Sequence, residues 1–300
     1  MNKNFPKVVF FGSGPVAAGS LGLLSANFSI EAIITKPATV HDMKLKNATV
    51  PVHAVNNKQE LDLLFGGVKF KSSLAILIDF GIIISQSVID YFPSGIINSH
   101  FSLLPEWRGA DPITFAILSG QKQTGVSLML LDERMDEGLL IAQAVCDIPR
   151  DVTTPILTST LVQISDSMLK TTVPLYLRHE ATPVPQDQAN IVGNTSPSYS
   201  RKLTKDDGAI DWTKSAIQLE REVRAYCEWP KSRTVLAKRE VIITSAITNN
   251  MAGSPGTVLI NSKRLFVHCG EGTLEIKRLK PVGKAEMPVA AFLAGYRKFL

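Results

Sequence analysis

Cysteine is scarce in this chain, with 3 among 300 residues. Cys146, Cys227 and Cys269 stand far apart and form no Cys-x-x-Cys pair, which leaves neither a disulfide frame nor a thiolate zinc site. The 5 histidines are scattered as well. No His-Glu-x-x-His run occurs, and no metal is expected. No apolar run reaches the ~20 residues needed to cross a bilayer, so no membrane is expected. Met1-Asn2-Lys3-Asn4-Phe5-Pro6 leads directly into a strand pattern, with no apolar region and small-residue cleavage site. The chain therefore reads as a cytoplasmic protein, and as a monomer. There is no internal repeat.

What is present is a division. The net charge of +5 hides 14 Lys and Arg against 17 Asp and Glu in residues 1–200, and 18 against 10 in residues 201–300. A last third of +8 on a body of −3 suggests a polyanionic partner held through one end. Residues 181–200 are rich in Pro, Gln, Asn and Ser and read as a linker. The expected boundaries are a catalytic domain over 1–190, a linker over 191–205 and a second domain over 206–300.

The first part alternates apolar strands with helices. Lys7 to Gly12, Ile30 to Thr35, Leu74 to Ile78 and Ile96 to His100 read as strands, with helices after Ala17, over Ser85 to Tyr91 and over Thr154 to Leu177. Near-continuous apolar strands between helices predict a Rossmann-like α/β fold, with a mostly parallel sheet covered on both faces. After Arg233, short alternating strands with turns at Asn249-Asn250 and Gly270 to Gly272 predict a small β-barrel of the OB type.

Gly12-x-Gly14-x-x-Ala17 matches a dinucleotide fingerprint. Its companion acid at the end of the second strand is missing, because that strand ends Ile34-Thr35-Lys36-Pro37. A tight strand-to-helix turn is the reading, with no NAD(P).

The stretch Gly95 to Gly109 carries the chemistry. Strand alternation puts Asn98 and His100 on one face. A carboxamide donor beside an imidazole that can take or give a proton near neutral pH suits catalysis, and the pair alone equally suits a satisfied half-buried His beside a turn Asn.

Asn98-x-His100, Ser102-Leu103-Leu104-Pro105 and Arg108-Gly109 together resemble the folate-dependent formyltransferases. Asp136-Glu137-Gly138, Leu140-Ile141 and Gln143 follow in the order that family shows, with Glu137 where Thr is common. In the last hundred residues, Asp207-Gly208 to Trp212, Trp229-Pro230, Pro255-Gly256-Thr257-Val258, Gly283-Lys284 and Gly295-Tyr296-Arg297 are similar to the methionyl-tRNA formyltransferases. The resemblance implies formyl transfer from 10-formyltetrahydrofolate to the α-amine of initiator methionyl-tRNA, for translation initiation. It implies catalytic roles for Asn98, His100 and Asp136, and a tight loop at Ser102, Leu103, Leu104 and Pro105 that shapes the folate site. Ile82, Ile83 and Ile84 fall where the family lines its pterin pocket. A nucleotide-sugar N-formyltransferase with the same donor and trio is the alternative. The family's basic loop is absent from residues 36–60, which hold only Lys36, Lys44, Lys46 and Lys58. More of the tRNA contact is thus expected from Lys263, Arg264, Lys277, Arg278, Lys280, Lys284, Arg297 and Lys298.

Overall fold

The computed structural model describes residues 5–42, 45, 49–189 and 196–299. They gather into two compact units, one of Met1–Pro112, Gln123–Asp147 and Thr158–Ser200, the other of Ile113–Lys122, Ile148–Leu157 and Arg201–Leu300. Lys44 and Lys46 lie outside the described residues.

The chain enters through β1 (Lys7–Phe11), α1 (Pro15–Asn27), β2 (Ser29–Thr35), α2 (Pro37–Asp42), β3 (Val52–Ala54), α3 (Lys58–Gly67), β4 (Leu74–Leu77), α4 (Gln86–Asp90) and β5 (Ile96–His100). Then come β6 (Arg108–Gly109), α5 (Pro112–Ser119), β7 (Gln123–Leu130), β8 (Leu140–Asp147), α6 (Thr154–Leu177) and β9 (Tyr199–Ser200). The strand order of the main sheet is β3-β2-β1-β4-β5-β7-β8. The ladders from β3 to β5 are parallel, and those of β7 with β5 and with β8 are antiparallel. This is the expected mostly parallel sheet. β3 was not legible, because residues 36–57 carry no sustained apolar period; α3 carries Leu61, Leu64 and Phe65 at helical spacing.

Local chemistry places the elements. Pro15 opens α1, where its missing N–H is no loss. Asn57 caps α3 by accepting from Glu60 N, and Glu60 returns a carboxylate oxygen to Asn56 N at 2.8 Å. Phe10 and Phe11 on the central strand are fully buried. Phe11 meets Phe80 edge-on at 5.4 Å, and Phe65 meets Tyr91 at 4.9 Å. Aromatic edges against faces add about 0.5–1.5 kcal/mol per pair beyond their burial.

The second unit contains α7 (Ala216–Ala225), the strands β10 (Ser232–Leu236), β11 (Arg239–Asn249), β12 (Val258–Asn261), β13 (Arg264–His268), β14 (Thr273–Pro281) and β15 (Met287–Pro288), and α8 (Val289–Tyr296). The sheet runs β10-β11-β14-β13-β12, all antiparallel, with β15 added to β14. No ladder joins β10 to β12 among the described residues, so the sheet is open there. Ala216, Leu219 and Val223 form the buried stripe of α7, three and four residues apart as an amphipathic helix requires. They share one core with Val241, Leu265, Ile276 and Phe292.

Phe292 is 0% exposed within that core. Phe292→Ala should destabilise the protein by about 3–5 kcal/mol in urea unfolding, from lost transfer energy and the cavity left behind.

Candidate active site

β5 is buried along its length, although three of its five residues are polar. Alternation sorts them as expected: Ser99 faces α6 and meets Ser165 Oγ at 2.7 Å, while Asn98 and His100 face the other way, toward Asp136. Asn98 Nδ2 donates to Asp136 Oδ1 at 3.3 Å. His100 Nδ1 stands 3.8 Å from Asp136 Oδ2. The amide of Gly109 donates to that same Oδ2 at 2.7 Å. The three side chains named from the sequence are thus brought to one place, at the carboxyl end of β5, where open α/β sheets put their sites.

The other imidazole nitrogen decides the tautomer. His100 Nε2 lies 2.9 Å from the carbonyl of Trp107. A carbonyl only accepts, so Nε2 carries the hydrogen and neutral His100 presents a lone pair at Nδ1. Trp107 is itself fixed from a distance: its N–H donates to Ser198 Oγ at 2.9 Å, and Arg108 N–H donates to Ser198 O at 2.9 Å. This is the short parallel ladder of β6 with β9. At Gly109, φ is +101° and a Cβ would stand 2.5 Å from Ser200 O. Only glycine fits this approach. Residues 198–200, which composition reads as linker, are therefore woven into the loop that follows β5. Residues 184–186 are held by the segment between β7 and β8, where Val184 pairs with Leu140 and Gln186 donates to the carbonyls of Asp136 and Gly138.

The loop after β5 is tight, as expected. The Leu104–Pro105 peptide is cis. Ser127 Oγ donates to Ser102 O at 2.7 Å and accepts from Leu104 N, and Gln143 Nε2 donates to Leu104 O at 2.8 Å. Ser102, Leu103 and Leu104 are 0%, 3% and 0% exposed. Leu104 packs against Met129 and Leu140. Pro105 is buried too. Ile82 and Ile84 are half-buried against the core of Phe11 and Phe80. Ile83 between them is 73% exposed, an apolar side chain held open to solvent.

The comparisons with known proteins bear on this arrangement. Residues 7–173 match the model of the formyl transferase family, and residues 202–297 match that of the formyl transferase C-terminal domain. The chain belongs to the formyl transferase family. A methionyl-tRNA formyltransferase of Roseiflexus sp. is 32% identical over 307 residues, covering 97% of this chain and 93% of that one. Another, from Myxococcus xanthus, is 32% identical over 305 residues, covering 97% and 96%. Among solved structures, an N-formyltransferase from Helicobacter canadensis in complex with folinic acid and dTDP-3-aminofucose has a similar fold. Its TM-score is 0.66 at 18% identity, with 91% of this chain and 98% of that one covered.

Within this formyl transferase the eight basic candidates of the second unit are all exposed. Lys277 and Arg278 are exposed in succession, because the ladder of β14 with β11 is irregular beside Ser245. Three of the eight charges meet carboxylates. Arg264 grips Glu275 through Nε and Nη2 at 2.9 and 2.6 Å, and Lys277 reaches it at 2.9 Å. The Arg264 hydrogen bonds, with those of Lys277, hold the Glu275 carboxyl down at about 2. Arg278 pairs with Glu286.

The turn at Gly12–Gly14 sits between β1 and β4, where the strand order reverses. Ser13 N and Gly14 N both donate to the carbonyl of Asp79 at 2.9 and 3.1 Å. The Asp79 side chain crosses to α1 and accepts from Val16 N at 3.2 Å. A Cβ at Gly14 would stand 1.8 Å from Asp79 Oδ2. A carboxylate thus occupies the helix N-terminus on which a dinucleotide's pyrophosphate would rest. Lys36, where the ribose acid would be, donates to Gly81 O at 2.8 Å.

Asp79 touches solvent over part of its surface, yet burial of its carboxyl against this turn pushes it above the ordinary 3.8, with Asp111 adding to the rise. A carboxyl raised in the folded state is bound by a proton more readily there than in the unfolded chain. Its cost to stability therefore grows as pH climbs above the ordinary value and vanishes below it. Asp79→Asn keeps an oxygen for Val16 N and drops the charge. Its melting temperature should equal or exceed that of the parent at pH 8, and the difference should close as pH falls below 3.8. A variant less stable at pH 8 than at pH 4, relative to the parent, would refute this.

Proposed function

We propose that this chain transfers the formyl group of 10-formyltetrahydrofolate to the α-amine of methionine esterified to initiator tRNA. The observation that carries the reading is the meeting of Asn98, His100 and Asp136 in a chain similar over its whole length to methionyl-tRNA formyltransferases. The donor supplies the formyl carbon and departs as tetrahydrofolate.

Three tasks fall to the protein. As the amine's lone pair forms a bond to the formyl carbon, the carbonyl π pair moves onto oxygen, and Asn98 Nδ2 donates to that oxygen. Preformed donors aimed at developing charge contribute more than any other single device in acyl-type transfers. His100 Nδ1 takes the proton that the attacking nitrogen must lose, its lone pair being set there by the Trp107 carbonyl. Asp136, 3.8 Å from that nitrogen, stabilises the imidazolium that results. The oxygen then returns its electron pair as the bond to the departing folate nitrogen breaks, and His100 hands the proton to that nitrogen. Atoms and charge balance with no external reagent.

For the folate ring, we assign Ile83, an exposed apolar side chain in the loop after β4, whose Leu77 pairs with Asn98. The loop at 102–105 contributes its main chain and shape. For tRNA, the second unit offers Lys263, Lys280, Lys284, Arg297 and Lys298 with Arg264, Lys277 and Arg278. An amino sugar carried on a nucleotide is the second reading, suggested by the fold shared with the Helicobacter canadensis enzyme. The decisive assay offers methionyl-tRNA and a nucleotide-linked amino sugar in parallel with the same donor. Formylation of the sugar alone would refute the first reading.

Asn98→Ala should lower kcat by about 10²–10³, and His100→Ala by about 10²–10⁴, with the fold intact by circular dichroism. Near-parental turnover of either variant in the formylation assay would remove that residue from the mechanism. Binding of tRNA should weaken with salt, because each neutralised phosphate releases counterions. The log–log slope should be roughly −0.7 to −0.9 per contact. Lys280→Ala with Lys284→Ala should reduce the slope's magnitude by about 1 per contacting residue. An unchanged slope would place the contact elsewhere.

A further inference from the structure

The Asp136 carboxylate is useful only because of where its backbone lies, and that backbone is not in an easy conformation. Asp136 has φ of +53°, the left-handed region, which is strained for a non-glycine residue. Two residues on, a Cβ at Gly138 would stand 1.7 Å from Leu130 O. Something must hold this turn against relaxation.

We infer that Gln186 is the residue that positions Asp136. Its side chain is 6% exposed, and each polar atom of its carboxamide is committed. Nε2 donates to Asp136 O at 2.8 Å and to Gly138 O at 3.1 Å. Oε1 accepts from Arg108 Nη2 at 2.7 Å. Arg108 in turn extends Nη1 to Glu137 Oε1 at 3.1 Å, so the residue between the two held carbonyls is gripped by its side chain. Glu137 has a second cation, Arg134 at 3.2 Å. The turn 136–138 is therefore held by its main chain through Gln186 and by its side chain through Arg108. Buried carbonyls that lose their donors carry the full desolvation penalty. Without Gln186 that penalty adds to the strain at Asp136, and the turn relaxes and takes the carboxylate with it.

The arrangement also dictates which substitution is informative. Gln186→Glu keeps the size and keeps an acceptor for Arg108. It replaces both donated hydrogens with a negative oxygen facing two carbonyls. Gln186→Met removes all three hydrogen bonds without adding charge.

The inference rests on the reading that Asp136 stabilises the imidazolium of His100, and the test separates the two. In formylation assays of the full chain with methionyl-tRNA and 10-formyltetrahydrofolate, Gln186→Glu should lower kcat by about tenfold to a hundredfold, the scale of an ångström misplacement. KM for the folate should stay within about twofold of the parent's, and the acid limb of the kcat–pH profile should shift as it does in Asp136→Asn. Should Gln186→Glu not fold, Gln186→Met is read in the same way. If Asp136→Asn retains parental kcat, the catalytic reading falls and this inference falls with it. If Asp136→Asn is crippled while a folded Gln186 variant keeps parental kcat, only the inference falls. A kcat loss without the shift of the pH profile, matched by an equal loss of folded protein, means that Gln186 merely supports the fold, and also overturns it.

Discussion

A single carboxylate organises this candidate site. Asp136 accepts from the side chain of Asn98 on β5 and from the main chain of Gly109 in the next loop, and it faces His100. Three segments that have no local reason to meet are thereby fixed to one another. The unusual backbone of the region follows from that constraint. Trp107 and Asp136 take left-handed conformations, and Gly109 has φ of +101°. Each is matched by a partner: Ser198 for Trp107, Ser200 for Gly109, Gln186 for Asp136. Strain gathered so closely persists only where the surroundings over-determine it.

How much of this was legible depended on distance along the chain. The pairing of Asn98 with His100 needs only the period of a strand, and it is present as read. The tightness of 102–105 needs only a proline and a neighbouring strand, although the leucines turned inward to the core. What sequence did not disclose are the hydrogen bonds that join 186 to 136 and 198 to 107. Pro, Gln, Asn and Ser break regular structure, and they are also the side chains and turns that satisfy another segment's backbone. Composition cannot say which of these uses applies. A Gln followed by Asp in such a stretch was a signal only in hindsight.

In the second unit the charge count was sound and its weight was not. Eight exposed cations stand where alternation alone would have hidden some, since the irregular ladder at Ser245 leaves Lys277 and Arg278 exposed in succession. Arg264 and Lys277, however, share a covered carboxylate at Glu275. An arginine so held is less free as a diffuse charge, but its guanidinium is better fixed in direction, and it also lies 4.8 Å over the Phe266 ring. Counting charges estimates long-range attraction; it does not say which cations are already spent or oriented.

The glycines of the first turn show the same ambiguity at a smaller scale. A parallel strand that feeds a helix back onto its own sheet needs a tight turn, and glycine supplies it whatever the ligand. The fingerprint is thus a mark of strand-to-helix geometry first and of phosphate second. What separates the two is the group resting on the helix N-terminus. Here Asp79 rests on it, delivering a charge of the same sign as a phosphate from inside the protein and tying β4's exit to α1. That exit leads within three residues to Ile82, Ile83 and Ile84. The carboxylate that rests on the N-terminus of α1 therefore stands at the start of the loop whose exposed isoleucine we assign to the folate. One residue thus caps α1 and ties the exit of β4 to it.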